Sequence, residues 1–105
     1  MKNKKYFVKF EFNDSNKPTV KYLYDNNKQI KLFYDLKELQ NNIDIFCNKF
    51  NEQKIKEIYE YSKCDKKEVK VESFYIKGDG QRVTNMFTIN GGPIYSYQYT
   101  IMVKI

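Results

Sequence analysis

Most of this chain alternates apolar and polar residues with a period of two, and one central stretch has a helical period instead. Alternation over four to eight residues is typical of a strand that buries one face, and spacings of three and four residues are typical of an amphipathic helix. Strands on both sides of one helical block indicate an α+β protein. The 105 residues suffice for one core, so we expect a single domain over residues 1–105.

Three strands are predicted before the helical block, over residues 5–13, 19–25 and 29–34. The residues expected on the core face are Tyr6, Val8, Phe10 and Phe12 in the first, Val20, Tyr22 and Tyr24 in the second, and Ile30, Leu32 and Tyr34 in the third. A three-residue loop at 26–28 puts the last two sets on the same side. A two-residue loop would turn one of them to the wrong face, because side chains alternate along a strand.

Asp35 is predicted to cap a helix, with Glu38 three residues later completing a capping box. Apolar residues follow at helical spacing, at Leu36, Leu39, Ile43, Phe46, Cys47 and Phe50. Asn51 is a suitable N-cap for a second helix that would carry Ile55, Ile58 and Tyr59. One bent helix and two short helices fit this pattern equally well. A charged loop at 62–67 ends the segment.

Three more strands are predicted after the helical block, the first over 68–76 and the last over 94–105. A three-residue loop at 78–80, with Gly80 in the left-handed position, pairs Tyr75 with Val83, Val71 with Phe87 and Val69 with Ile89. Residues 90–93 form the last turn. The expected fold is α+β, with two antiparallel three-stranded meanders flanking a central helix or bent helix pair. Whether the six strands share one sheet is left open.

Several catalytic chemistries are excluded by composition, since the chain contains no histidine. Ser-His-Asp triads, Cys-His dyads and histidine metal ligands are therefore absent. The glycines at 78 and 80 lack the following helix that a phosphate-binding loop requires. Acidic pairs such as Glu57 and Glu60 have the spacing of a solvated charged face. We expect a non-enzymatic protein without cofactor or metal.

The cysteines and the N-terminus bear on the cellular compartment. Cys47 and Cys64 are not in a Cys-x-x-Cys motif, so both thiols are expected to be free. The basic residues 1–5 are not followed by the apolar segment of a signal peptide, and no stretch approaches the roughly 20 apolar residues that span a membrane. We expect a cytoplasmic protein that does not contact membranes.

The net charge of +6 raises the prospect of nucleic-acid or acidic partners. Lys, Asn, Ile, Tyr and Phe are all abundant and arginine occurs once, a composition typical of an AT-rich genome. Whether the lysine excess is functional or reflects codon usage is left open. The candidate basic contact surface consists of Lys63, Lys66, Lys67, Lys70, Lys77 and Arg82. One interpretation of the tyrosine row is a base-stacking platform beside this surface, formed by Tyr95, Tyr97 and Tyr99. The alternative is a core row that continues into Ile101.

A second candidate surface lies on the side of the strands opposite the expected core. This candidate apolar partner face consists of Phe7, Leu23, Phe33, Phe74, Ile76, Met86 and Met102. A cluster of apolar residues on a solvated face indicates a protein partner or a homodimer, unless helices or a second sheet cover it.

These observations favour a non-enzymatic protein-binding module. A short, cysteine-poor chain without catalytic residues and with AT-rich codon usage also fits the profile of phage or mobile-element proteins that inhibit host nucleic-acid-processing defence complexes, such as CRISPR nucleases. That comparison is an analogy of class. The expected partner is a protein or a nucleoprotein complex. The alternative is a protein that binds single-stranded RNA or DNA through Lys and Tyr side chains.

Overall fold

One helix packs against one face of a five-stranded antiparallel sheet in the computed structural model, which describes residues 4–14, 17–62, 69–76 and 81–104. The elements are β1 (Lys5–Asp14), β2 (Lys17–Tyr22), α1 (Leu36–Ser62), β3 (Val69–Ile76), β4 (Gln81–Ile89) and β5 (Gly92–Lys104). The strand order is β2-β1-β5-β4-β3. The α+β class is confirmed. The question left open is whether the strands share one sheet, and they do, because β1 pairs with β5 and joins both halves. The sheet has five strands rather than the six predicted.

The two central strands, β1 and β5, supply the largest part of the core. Their register places Val8 opposite Ile101, Phe10 opposite Tyr99 and Phe12 opposite Tyr97, and all six side chains are buried. Directly opposed residues of an antiparallel pair share a face of the sheet. Both strands therefore direct these side chains toward α1, as the alternation predicts, and we call this side the inner face.

The helix begins and continues for reasons that can be read from its hydrogen bonds. The amide of Lys37 donates to Oδ1 of Asp35 over 3.1 Å, which confirms the predicted N-cap. The helix then runs unbroken through Asn51. The Asn51 side chain does not cap a second helix, because its Oδ1 accepts a hydrogen bond from the Tyr97 hydroxyl over 2.6 Å. Among the described residues, no helix combines the length and apolarity needed to cross a bilayer.

Strand β2 faces the opposite way from the prediction. Its register pairs Val20 with Glu11 and Tyr22 with Lys9, so both apolar side chains lie on the side away from α1, the outer face. The face on which the β2 side chains lie is set by the pairing of Asp14 with Lys17. A register shifted by one residue would turn every side chain of the strand to the other face. The alternation of β2 was visible in the sequence, but its register was not.

The loop predicted at 26–28 is confirmed. The amide of Asp25 donates to the carbonyl of Gln29 over 2.8 Å, and Tyr24 bridges Ile30 on either side of the loop. The Asp25 carboxylate also accepts hydrogen bonds from the amides of Asn27 and Gln29, at 2.8 and 3.0 Å. This aspartate therefore holds the turn through both its backbone and its side chain.

The strand predicted at 29–34 is wrong, because this segment makes only two isolated bridges. Phe33 exchanges both of its backbone hydrogen bonds with Tyr6, each 2.7 Å long. Tyr6 lies on the inner face of β1, and a directly opposed residue shares that face. The Phe33 side chain is therefore core, with 2% exposed, whereas Ile30 and Tyr34 are exposed rather than buried.

The C-terminal hairpins agree closely with the sequence. The predicted pairs of β3 and β4, Tyr75 with Val83, Val71 with Phe87 and Val69 with Ile89, are all confirmed. The predicted position of Gly80 falls outside the described residues. Asn90 and Gly91 have φ values of 54° and 78°, the pair of left-handed residues that a two-residue hairpin turn requires.

One helix is too narrow to cover this sheet. The outermost of five strands lie about 19 Å apart, whereas a helix with its side chains is about 10–12 Å wide. The Phe46 and Phe10 rings lie 4.2 Å apart over β1, and the Tyr59 hydroxyl accepts a hydrogen bond from the Val69 amide over 3.2 Å at the start of β3. Farther along β3, Tyr75 on the inner face remains 55% exposed.

Candidate functional site

The outer face of the sheet carries no other described element. Its residues, placed by the strand registers, are Lys5, Phe7, Lys9, Glu11 and Asn13 in β1, Pro18, Val20 and Tyr22 in β2, Lys70, Glu72 and Phe74 in β3, Arg82, Thr84, Met86 and Thr88 in β4, and Ser96, Gln98, Thr100, Met102 and Lys104 in β5. This surface mixes apolar and charged side chains, which is a composition that protein interfaces share.

Four residues of the predicted apolar partner face lie on the outer face, in two groups. Phe7 pairs with Met102, and its ring centroid is 6.2 Å from that of Tyr22. Phe74 and Met86 lie on β3 and β4, separated from the first group by the polar residues of β5. The apolar surface is therefore two patches on one face rather than one continuous cluster.

The other predicted members of that face need correction. Phe33 belongs to the core, and Leu23 is half-buried against the core, so neither is open to a partner. Ile76 pairs with Arg82 at the end of β3, and its side chain lies outside the description. Val20 and Tyr22, predicted for the core face, lie on the outer face instead, because the register of β2 places them there.

The predicted basic surface is only partly described. Lys70 and Arg82 are both exposed on the outer face, where they pair with Thr88 and with Ile76. Six residues along β3 separate these positions, which is about 20 Å in an antiparallel strand. Lys63, Lys66, Lys67 and Lys77 lie outside the described residues. Lys70 and Arg82 therefore do not form one compact cluster.

The outer face nevertheless carries a positive excess. Its described charged residues are Lys5, Lys9, Lys70, Arg82 and Lys104 against Glu11 and Glu72, an excess of three positive charges. Lys9 lies 3.9 Å from the Glu11 carboxylate, a surface contact of small energetic weight.

The tyrosine row of β5 is core, so the base-stacking interpretation is wrong for its buried members. Tyr97 is 1% exposed and Tyr99 is 6% exposed, and the Tyr97 ring centroid lies 4.6 Å from that of Phe50 on α1. Burial raises the pKa of both phenols above its ordinary value of 10.0. A buried ring cannot offer a free face to a nucleobase.

A polar pocket of about 560 Å³ lies where α1 leaves the inner face of β3 and β4 uncovered. We call it the polar pocket, and it is lined by Asp44, Cys47, Asn48 and Asn51 of α1, by Ser73, Tyr75, Val83 and Asn85 of the β3–β4 hairpin, and by Tyr99 of β5. The helical residues are spaced by three and four positions, so they share one side of α1.

Hydrogen bonds between side chains fix the walls of the polar pocket. The Ser73 hydroxyl donates to Oδ1 of Asn85 over 2.6 Å, and Nδ2 of Asn85 contacts Sγ of Cys47 over 3.7 Å. Asn85 is only 3% exposed, so its amide needs these partners. The network therefore connects β3, β4 and α1 at one point.

Burial is the main influence on the titratable groups of the polar pocket, and the charge of Asp44 adds to it. Burial raises the pKa of the Cys47 thiol above its ordinary value of 9.0, and the negative charge of Asp44 raises it further. Burial also raises the pKa of the Tyr99 phenol, and Asp44 contributes in the same direction. The described residues that line the pocket include no lysine or arginine, and Asp44 is the one among them that carries a formal charge at neutral pH.

Sequence reasoning missed the polar pocket, although a signal for it was present. Ser73 and Asn85 both interrupt apolar rows on the predicted core face, and the predicted hairpin register already placed them opposite each other. Two polar residues at one paired position of a core face indicate a polar site, because a buried polar group requires a partner. Cys47, predicted to be a free thiol, is free and buried beside them.

Within the described part of the chain, no cluster of three or more His, Cys, Asp or Glu side chains is placed to hold a metal ion. The comparisons with known proteins leave the function to be argued from geometry, since no protein-family model, curated protein or solved structure matches this chain significantly. A fold alone does not specify a function, so the arguments below rest on the outer face and the polar pocket.

Proposed function

We propose that this chain is a protein-binding module that docks its outer face against an acidic surface of another protein. The observation that carries the proposal is the exposure of apolar side chains on this face, which are 42% exposed at Val20, 45% at Phe74 and 37% at Met102. A solvated face of an antiparallel sheet ordinarily carries polar residues. Covering these side chains on association would remove apolar surface from water and stabilise the complex.

The charge of the outer face supports an acidic partner. Lys9 and Arg82 flank Thr100 in one row across the three middle strands. Phe7 and Met102 lie on one side of that row, and on the other side the edge strands carry Val20 and Phe74. Basic residues among apolar patches favour association with a negatively charged surface and speed the encounter at low salt.

The alternative partner is single-stranded RNA or DNA, which would also be drawn to this charge. It has lost two of its three predicted stacking residues, since Tyr97 and Tyr99 are buried. The narrower expectation, an inhibitor of phage or mobile-element origin that acts on a defence complex such as a CRISPR nuclease, rests on the class analogy alone and stays a prediction.

The test is capture from a nuclease-treated lysate of the cells in which the chain is made, with immobilised wild-type protein and matched variants. Met102→Ser and Phe74→Ser each remove one outer-face apolar group. Ile45→Ser is the control, because Ile45 lies on α1, on the other side of the sheet, and is 55% exposed. We expect one protein to be retained stoichiometrically by the wild type and the control, and to be lost from both outer-face variants.

Equal retention by all variants would contradict the proposal. A titration against labelled single-stranded RNA and DNA at low and physiological salt tests the alternative, that the partner is a nucleic acid. Tight, salt-sensitive binding that Arg82→Glu abolishes would favour the nucleic-acid function instead.

A further inference from the structure

We propose that the polar pocket binds a small organic cation, a ligand that carries a guanidinium or primary ammonium group. Its volume of about 560 Å³ falls within the range of about 300–1,000 Å³ typical of small-molecule sites. The pocket lies on the helix side of the sheet, and the docking surface lies on the other side. This proposal therefore stands or fails independently of the proposed function.

The sign of the ligand charge follows from the lining. Among the described residues that line the pocket, Asp44 is the one that is ionised, and Cys47 and Tyr99 remain neutral because burial disfavours their charged forms. The chain as a whole carries +6, whereas the described lining carries one negative charge. An anionic ligand would place its charge beside the Asp44 carboxylate, whereas a cation would be attracted to it.

The hydrogen bonds of the lining leave an acceptor on Asp44 for a ligand that donates. The hydroxyls of Ser73 and Tyr97 already donate to the amides of Asn85 and Asn51. Oδ1 of Asp44 accepts from Gln40 over 3.0 Å, and its Oδ2 accepts no hydrogen bond from the described residues. A guanidinium has five N–H donors and no acceptor, so it can bind this free carboxylate oxygen.

The aromatic wall supports the same ligand class. Tyr75 lines the pocket with 55% of its surface exposed, so its ring can contact a bound cation. A cation over a tyrosine ring is attracted by the negative π-face, and a planar guanidinium can also stack on it. The carboxylate of Asp44 and the ring of Tyr75 come from opposite walls, α1 and β3, which would hold the ligand between them.

The experiment measures agmatine binding by titration calorimetry in a Cys64→Ser background. In the same samples, the rate at which a thiol reagent modifies Cys47 is measured. Cys47 lines the pocket, so this rate reports whether the pocket is occupied. Asp44→Asn removes the charge without changing the shape, and Glu52→Gln removes one charge elsewhere on the same helix as the control. We expect Asp44→Asn to weaken binding about tenfold, the loss of one charge-assisted hydrogen bond, and Glu52→Gln to leave it unchanged.

Occupancy of the pocket itself is the decisive readout. Agmatine should slow the modification of Cys47 in the wild type and in Glu52→Gln, and should do so weakly in Asp44→Asn. Tyr75→Leu, a change at an exposed position that should not affect folding, should weaken binding several-fold. Equal affinities of Asp44→Asn and Glu52→Gln, or an unchanged Cys47 rate at saturating agmatine, would overturn the proposal.

A second ligand distinguishes the two sources of the cation, a free metabolite and an arginine side chain of a partner protein. An arginine peptide with both ends blocked carries the same guanidinium on a protein chain. Tighter binding of the peptide than of agmatine would assign the site to a partner's arginine, and the reverse would assign it to a free metabolite. Preferential binding of adenosine monophosphate, an anion, over agmatine would refute the ligand class.

Discussion

Replacement of Tyr97 tests whether the tyrosine row is core, and its cost can be worked out from two features of the structure. The ring is 1% exposed and packs between the sheet and Phe50, so Tyr97→Ala removes a fully buried aromatic side chain. Such truncations cost about 3–5 kcal/mol. A domain of this kind has a total stability of about 5–15 kcal/mol, so the variant should lose a substantial fraction of its free energy of unfolding.

The hydroxyl can be separated from the ring with Tyr97→Phe. This change leaves the packing in place and removes the 2.6 Å hydrogen bond to Asn51. Asn51 is half-buried, so water replaces part of the lost bond, and we expect a loss of about 1 kcal/mol in the free energy of unfolding. A double-mutant cycle with Asn51→Ala should recover most of that value as coupling energy, because the two groups touch.

The assay is urea unfolding followed by far-UV circular dichroism, since the chain has no tryptophan to report by fluorescence. Tyr34→Ala is the matched control, because this tyrosine is 64% exposed and should cost little. A Tyr97→Ala protein as stable as that control would refute the core assignment. If the same protein had also lost affinity for single-stranded RNA, the base-stacking interpretation would be restored.

Three further predictions concern the core, the start of the helix and the stability of the protein at alkaline pH. Phe33→Ala should cost about 3–5 kcal/mol in urea unfolding, as expected for a core ring, whereas Phe74→Ala should cost under about 1 kcal/mol; equal costs would contradict the inward placement of Phe33. Asp35→Ala should lower the free energy of unfolding by about 1 kcal/mol through loss of the N-cap, with Asp35→Asn close to wild type. The free energy of unfolding should fall as pH rises above about 9. The unfolded chain ionises Cys47, Tyr97 and Tyr99 near their ordinary pKa values, whereas the raised pKa values keep these groups protonated in the folded protein. Denaturant midpoints measured from pH 7 to pH 11 check that sign, and a midpoint that stays constant over this range would contradict it.

The prediction of the candidate sites from sequence succeeded where the local register was fixed and failed where it was not. The β3–β4 hairpin was aligned correctly because its two alternating rows match in one register only, and that register already opposed Ser73 to Asn85. The outer-face positions of Phe7 and Met102 follow from alternation alone. Phe33 could not be placed in the same way, because its face depends on a backbone contact with Tyr6, far away in the chain.

The sequence by itself determined the elements that depend on neighbouring residues. Period-two alternation located five of the six predicted strands, Asp35 marked the start of the helix, and the residues 90–93 marked the last turn, because each of these signals is local to the backbone that it shapes.

Only the tertiary structure decided the arrangement of those elements. The pairing of β1 with β5 brings residue 5 opposite residue 104, and alternation cannot specify it because every half-buried strand presents the same pattern to any neighbour. The polar pocket has the same origin. It exists because one helix lies across a five-stranded sheet that is wider than itself, and so leaves Asp44, Tyr75 and Asn85 around an open space rather than in a closed core.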